Sequence, residues 1–137
     1  MTTTVAGVDG CRAGWYAVLW DTETNRFTGG VQADFTGVLD FSGQAALVAV
    51  DIPIGLLDHA LPGGRTCDVY ARKLLHPNRM SSVFSAPVRK TLEAETYPEA
   101  LALSRDSSHY GRGLSKQCFG ILPKIREVDA LMSPGLQ

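Results

Sequence analysis

Val5-Ala-Gly-Val-Asp9-Gly10 and Val48-Ala-Val-Asp51-Ile-Pro53 are two apolar runs, each closed by an aspartate and then by a turn-forming region. Both read as β-strands. The second belongs to a nearly unbroken apolar segment, Ala45 to Val50, the pattern of a strand covered on both faces and parallel to its neighbour. Side by side and parallel, the two strands deliver both carboxylates to one sheet edge, where open α/β sheets bind ligands. Like charges a few ångströms apart repel, so a cation between them lets both stay ionised. Oxygen-only ligands select Mg²⁺ or Mn²⁺. Such ions clamp the attacking and leaving oxygens of a phosphodiester. The plain alternative is turn chemistry, because Asp before Gly, or near Pro, commonly ends a strand.

The neighbouring segments build the rest of a sheet. Thr4 to Val8 forms the first strand and stops at Asp9. Trp15 to Trp20 forms a second, rich in aromatic and branched residues. Arg26 to Gln32 forms a weaker third, with Gly29-Gly30 marking a bulge or bend. Short polar turns make these three an antiparallel meander. Phe35 to Phe41 reads as a short helix before the long apolar strand. The order predicts an α/β chain: three antiparallel strands plus a parallel one in a mixed sheet, with helices packed on it.

The remainder is helical. Thr66 caps a helix to about Leu75, with Cys67, Tyr70, Ala71 and Leu74 on one apolar face and Asp68 set to pair with Arg72. His76 to Leu92 is loop, with a brief strand at Ser82 to Ser85. Thr96-Tyr-Pro-Glu99 is a capping box that starts a helix ending near Arg105. Ser115 caps a last helix to about Met132, kinked at Pro123. On that helix Cys118, Ile121, Leu122, Ile125, Val128 and Met132 form an apolar stripe. Asp129 falls within the stripe, where a carboxylate is costly unless paired or bound to a cation. Glu127 projects to nearly the opposite side. A salt bridge from Asp129 to Arg65, Arg72 or Arg89 is the structural reading, and a role as third metal ligand beside Asp9 and Asp51 is the functional one. Arg65, Arg72, Arg89 and Lys124 are candidate phosphate contacts, to be weighed against an ordinary solvated face. His59, His76 and His109 lack ligand spacing and read as surface residues, and Cys118 as a core residue.

Composition bounds these readings. The chain has 137 residues, 45% hydrophobic and 20% charged, with 13 Lys and Arg against 14 Asp and Glu. That is the size and make-up of one globular domain. A net charge of -1 attracts no nucleic acid by itself, so such binding needs a local basic patch. Three scattered cysteines suit a reduced cytoplasmic compartment. No apolar run approaches the ~20 residues of a membrane span.

Five segments together resemble one family. These are Gly7-Val-Asp-Gly-Cys-Arg-Ala-Gly-Trp15, Asp51-Ile-Pro-Ile-Gly-Leu56, Arg65-Thr-Cys-Asp-Val-Tyr-Ala-Arg72, Ser82-Val-Phe-Ser-Ala-Pro87 and Gln117 through Ile125-Arg-Glu-Val-Asp129. The chain is similar to the domain-of-unknown-function 429 family, described as predicted nucleases with a ribonuclease H-like fold. The resemblance implies strand order 3-2-1-4-5 and a single domain over residues 1–137. It matches Asp9 and Asp51 to the central-strand acids of such enzymes, with Glu127 and Asp129 as a further acidic motif on a helix. It implies divalent-metal-dependent hydrolysis of phosphodiesters with Mg²⁺ or Mn²⁺, and nucleic acid as partner. It also implies a further strand and helices after residue 137, so the chain reads as an amino-terminal portion, active or inactive in this shortened form. Without a fifth strand, Ala45 to Val50 becomes an exposed edge, and self-association across it is expected. The alternative is a non-catalytic nucleic-acid or protein-binding module of the same fold.

Overall fold

A computed structural model describes residues 3–136. The chain divides into two compact units, Met1–Ile52 with Glu127–Gln137, and Pro53–Arg126.

The first unit is built on a four-stranded sheet. Strands β1 (Thr4–Cys11), β2 (Gly14–Asp21) and β3 (Arg26–Gln32) pair antiparallel, and β4 (Leu47–Val50) pairs parallel to β1, giving the order β3-β2-β1-β4. This is the mixed sheet that the two aspartate-capped runs imply, and it is consistent with a ribonuclease H-like sheet.

The first strand does not stop at Asp9. It runs on to Cys11, because the hairpin with β2 continues through Asp9↔Tyr16 and Gly10↔Trp15 to Cys11↔Gly14. Gly14 makes that tight return possible: its φ is +133°, and a Cβ there would lie 2.2 Å from the Gln32 carbonyl oxygen. No bulge forms at Gly29-Gly30, whose register with Val18 and Ala17 is unbroken. Gly29 instead makes room for its cross-strand neighbour: a Cβ would come within 2.9 Å of the Tyr16 hydroxyl.

Alternation divides the sheet into two faces. Ala6, Val8, Trp15 and Ala17 are buried on one. There α1 (Phe35–Phe41) packs Phe35 and Val38 against Val8 and Trp15, joined by Val48, Val50 and Ile52. The Trp15 and Phe35 rings meet edge to face at 5.1 Å, a geometry aromatic quadrupoles favour. Asp34 caps α1 by accepting from the Gly37 amide at 2.8 Å. Val128, Leu131 and Met132, from the end of α4 (Lys116–Leu131) and just beyond it, complete this core. The opposite face carries exposed Tyr16, Trp20, Phe27, Val31 and Leu47. Strand β4 is therefore covered on one face only, with Leu47 60% exposed. An unbroken apolar run reports hydrophobicity, and the pairing decides which side is covered.

The second unit contains α2 (Thr66–Leu74), α3 (Tyr97–Asp106), the first part of α4, and long irregular segments between them. The Thr96 capping box forms as the sequence indicates, with reciprocal bonds between Thr96 and Glu99. Ser115 receives the Cys118 amide at 3.1 Å at the start of α4, and the helix runs through Pro123 to Leu131. Cys118, Leu122, Ile125 and Val128 are buried as the stripe requires. Burial pushes the Cys118 thiol up to about 11, which keeps it an inert core residue.

Two expectations fail here. Ser82 to Ser85 forms no strand: a 3-10 helix over Pro77–Ser82 ends there and extended loop follows. Helix α2 is turned inside out relative to its apolar pattern. Its N-cap is Arg65 rather than Thr66, Asp68 is buried, and Tyr70 (62%) and Leu74 (87%) are exposed.

One carboxylate ties the first unit together. Glu127 accepts the Trp15 indole N–H with both oxygens, at 3.2 and 3.1 Å, and also the Phe35 amide. Glu127→Ala leaves a fully buried indole N–H without its acceptor, so it should destabilise the fold by about 2–4 kcal/mol in urea unfolding, whereas Asp9→Asn should cost less than ~0.5 kcal/mol.

Candidate functional site

Asp9 and Asp51 become neighbours through strand pairing. Val8 pairs with Val50 in parallel register, and the Asp51 amide donates to the Val8 carbonyl at 2.9 Å. Asp51 is thus the first residue past β4, beside Asp9 on the neighbouring β1, and strands in a sheet are ~4.8 Å apart. Both side chains are exposed. Among the described residues, neither carboxylate accepts a hydrogen bond or pairs with a cation. A pair of uncommitted carboxylates fits Mg²⁺, which binds through one or two protein carboxylates and keeps its remaining positions for water and phosphate oxygens.

The helix acids do not join them. Among the described residues no three His, Cys, Asp or Glu side chains are grouped so as to hold a metal ion. The reason lies in the alternation of the sheet. Glu127 bonds Trp15, whose register partner is Gly10, on the covered face. Asp9 alternates with buried Val8 and belongs to the opposite face. Asp129 follows Val128, which packs on the covered face. Nothing in the amino-acid pattern marks Glu127 as the partner of Trp15, except that a buried tryptophan seeks an acceptor for its N–H.

The candidate phosphate contacts lie in the second unit, and two are occupied structurally. Arg65 grips Asp68 bidentately, through Nε at 2.8 Å and Nη2 at 2.7 Å, and donates Nη1 to the Ile54 carbonyl. Arg72 donates to the carbonyls of Val83 at 2.9 Å and Gly63 at 2.6 Å. Asp68 therefore pairs with Arg65 rather than with Arg72, which acts on it only as a nearby charge. Arg89 is exposed; it donates to the Leu56 carbonyl at 3.4 Å and lies 3.8 Å from Asp58. Lys124 is half-buried on α4.

Charge separates between the units. Pro53–Arg126 holds eleven Lys and Arg against six Asp and Glu, a net +5; the other unit holds two against eight, a net -6. The near-neutral total conceals a basic body and an acidic one.

Burial pushes the Asp68 carboxyl up, but the hydrogen bonds from Arg65 and the charges of Arg65 and Arg72 outweigh it and leave the group below the usual carboxylate range. Its contribution to stability is therefore present above the unfolded pKa near 4 and is lost as pH falls through the lower folded value. Asp68→Asn should remove on the order of 3 kcal/mol at neutral pH, because it leaves a largely buried guanidinium without its carboxylate. It should also flatten the acid limb of the stability–pH curve below about pH 4. Urea midpoints from pH 2 to 7 measure both.

The family model described as "Protein of unknown function (DUF429)" covers residues 7–137. No curated protein and no solved structure matches. The match takes in Asp9, Asp51, the Arg65–Asp68 pair and the helix acids, and the chain belongs to the DUF429 family.

Proposed function

We propose that the protein is a divalent-metal-dependent phosphodiester hydrolase of ribonuclease H-like type, with Asp9 and Asp51 as the metal-holding pair. The observation that supports this most is the placement of two exposed, uncommitted carboxylates side by side, one on β1 and one at the end of its parallel neighbour β4. Asp9 and Asp51 would hold Mg²⁺ or Mn²⁺ through hard oxygens; when bound, the ion supplies water activation and charge neutralisation at phosphate oxygens. The second unit, at a net +5, would add attraction for a polyanion. The three free cysteines, Cys11, Cys67 and Cys118, favour a reducing, cytoplasmic setting. Among the described residues no helix is long and apolar enough to cross a membrane.

The test is cleavage of single- and double-stranded DNA and RNA in Mn²⁺, with Mn²⁺ binding followed by calorimetry. Asp9→Asn and Asp51→Asn should each lower cleavage at least about a hundredfold and weaken Mn²⁺ binding, with the fold intact. Equal activity in wild type and Asp9→Asn removes Asp9 from the chemistry. A second reading, a non-catalytic nucleic-acid-binding module, draws on the +5 charge of the second unit. It predicts salt-sensitive binding that survives both substitutions, with no cleavage.

Strand β4 lies at the edge of the described sheet, and unpaired edges template association. We propose that two copies of the chain pair across it. Sedimentation should show dimer at high concentration and monomer for Leu47→Lys, whose charge on the edge opposes pairing. A wild-type protein that stays monomeric defeats this reading.

A further inference from the structure

The second unit contains a cavity of about 260 Å³ that has no part in the reading built on Asp9 and Asp51. Its volume lies just below the ~300–1,000 Å³ typical of ligand sites, so it suits a small ligand. Apolar walls come from Leu57, Phe84, Pro87, Val88 and Leu114, and the polar lining from Arg65, Arg112, Ser85, Ser104 and Ser115. Among the described residues, none that lines it carries a carboxylate.

The polar groups have donors to spare. The Arg112 guanidinium has five N–H donors, and one makes a long bond, 3.4 Å, to the Leu61 carbonyl. Arg65 spends three of its five on Asp68 and Ile54. Ser85 Oγ accepts from Arg72 at 3.4 Å and Ser115 Oγ accepts from the Cys118 amide at 3.1 Å. Each hydroxyl therefore keeps its own proton to donate. Ser104 is committed to the Arg112 carbonyl at 3.0 Å.

The walls are braced. Arg72 holds the Gly63 and Val83 carbonyls, Tyr110 donates to Leu61 at 2.8 Å, and the Ala60 amide bonds the Ser107 carbonyl at 3.0 Å. Preformed walls lower the ordering cost of binding. Surplus donors, no lining carboxylate and a net +5 surrounding body select an oxyanion. The apolar walls select a small hydrophobic body attached to it.

We propose that this cavity binds a small organic oxyanion, a phosphate or carboxylate head on an apolar body, with Arg112, Ser85 and Ser115 as its donors. The probes are phenyl phosphate and benzoate, with benzyl alcohol as the neutral counterpart, titrated into the full chain by calorimetry and by NMR shifts. Saturable binding of at least one anion, and none of benzyl alcohol, is expected. Arg112→Gln should weaken binding at least about tenfold, and Ala86→Phe, which fills the lining at Ala86, should abolish it. Asp51→Asn should leave it unchanged, so this proposal and the hydrolase reading can fail separately. Absence of saturation at millimolar probe overturns the proposal, as does equal binding of benzyl alcohol or unchanged affinity in Arg112→Gln. Should Arg112→Gln fail to fold, Ser85→Ala decides: a loss of about tenfold supports the site, and unaltered affinity overturns it.

Discussion

The bond from Trp15 to Glu127 sets the geometry of the first unit. Trp15 is fully buried, and its indole N–H must find an acceptor or forfeit the solvation it had in water. The sheet's covered face is apolar around it, and the acceptor arrives from 112 residues later in the chain. The same carboxylate receives the Phe35 amide at the start of α1, where the helix leaves amides unbonded and favours negative charge. One side chain therefore fixes an aromatic ring, the entry to α1 and the end of α4 at a single point. Val128 is the next residue along and packs on Val8 and Trp15 as a consequence.

That commitment also decides what Glu127 is unavailable for. A carboxylate holding an indole and a backbone amide on one face of the sheet does not reach a site on the other. Asp9 and Asp51, with no such partners among the described residues, are left as a pair. Two acidic motifs that look equivalent along the chain thus separate into a structural acid and a candidate ligand pair. The pleat makes the separation, because residues 8 and 9 face opposite sides.

The parts legible in the sequence were those that local patterns specify. Strand runs, the Phe35–Phe41 helix, the Thr96 capping box and the apolar stripe of α4 depend on neighbours within a turn or a hairpin. The parts that were not legible depend on distant partners. An aspartate at position 68 can pair with an arginine three residues before it or four after it. The carbonyls that Arg72 also satisfies, 9 and 11 residues away, settle the choice. Once Asp68 and its arginines face inward, Tyr70 and Leu74 face solvent, against the apolar pattern of the helix. Similarly, Ala45 to Val50 is apolar throughout, but whether both faces are covered depends on elements that the run itself does not encode. The Asp9–Asp51 juxtaposition was legible because it required only that two runs pair in parallel.

The arginines of the second unit show why a basic segment resists a one-word description. Long irregular stretches expose backbone carbonyls that helices and sheets would otherwise satisfy. Arg65, Arg72, Arg112 and Arg126 donate to carbonyls of Ile54, Gly63, Val83, Leu61, Leu92 and Ala94. A carbonyl accepts a hydrogen bond without neutralising the donor's charge. Among the described residues, Asp68 cancels one of these cations at close range, that of Arg65. The unit therefore keeps its net +5 while its arginines brace the loops, and structural use does not remove an arginine from the field that draws an anion. A guanidinium with five donors can hold a loop with one and still present others to a ligand. This is the situation of Arg112 at the cavity wall.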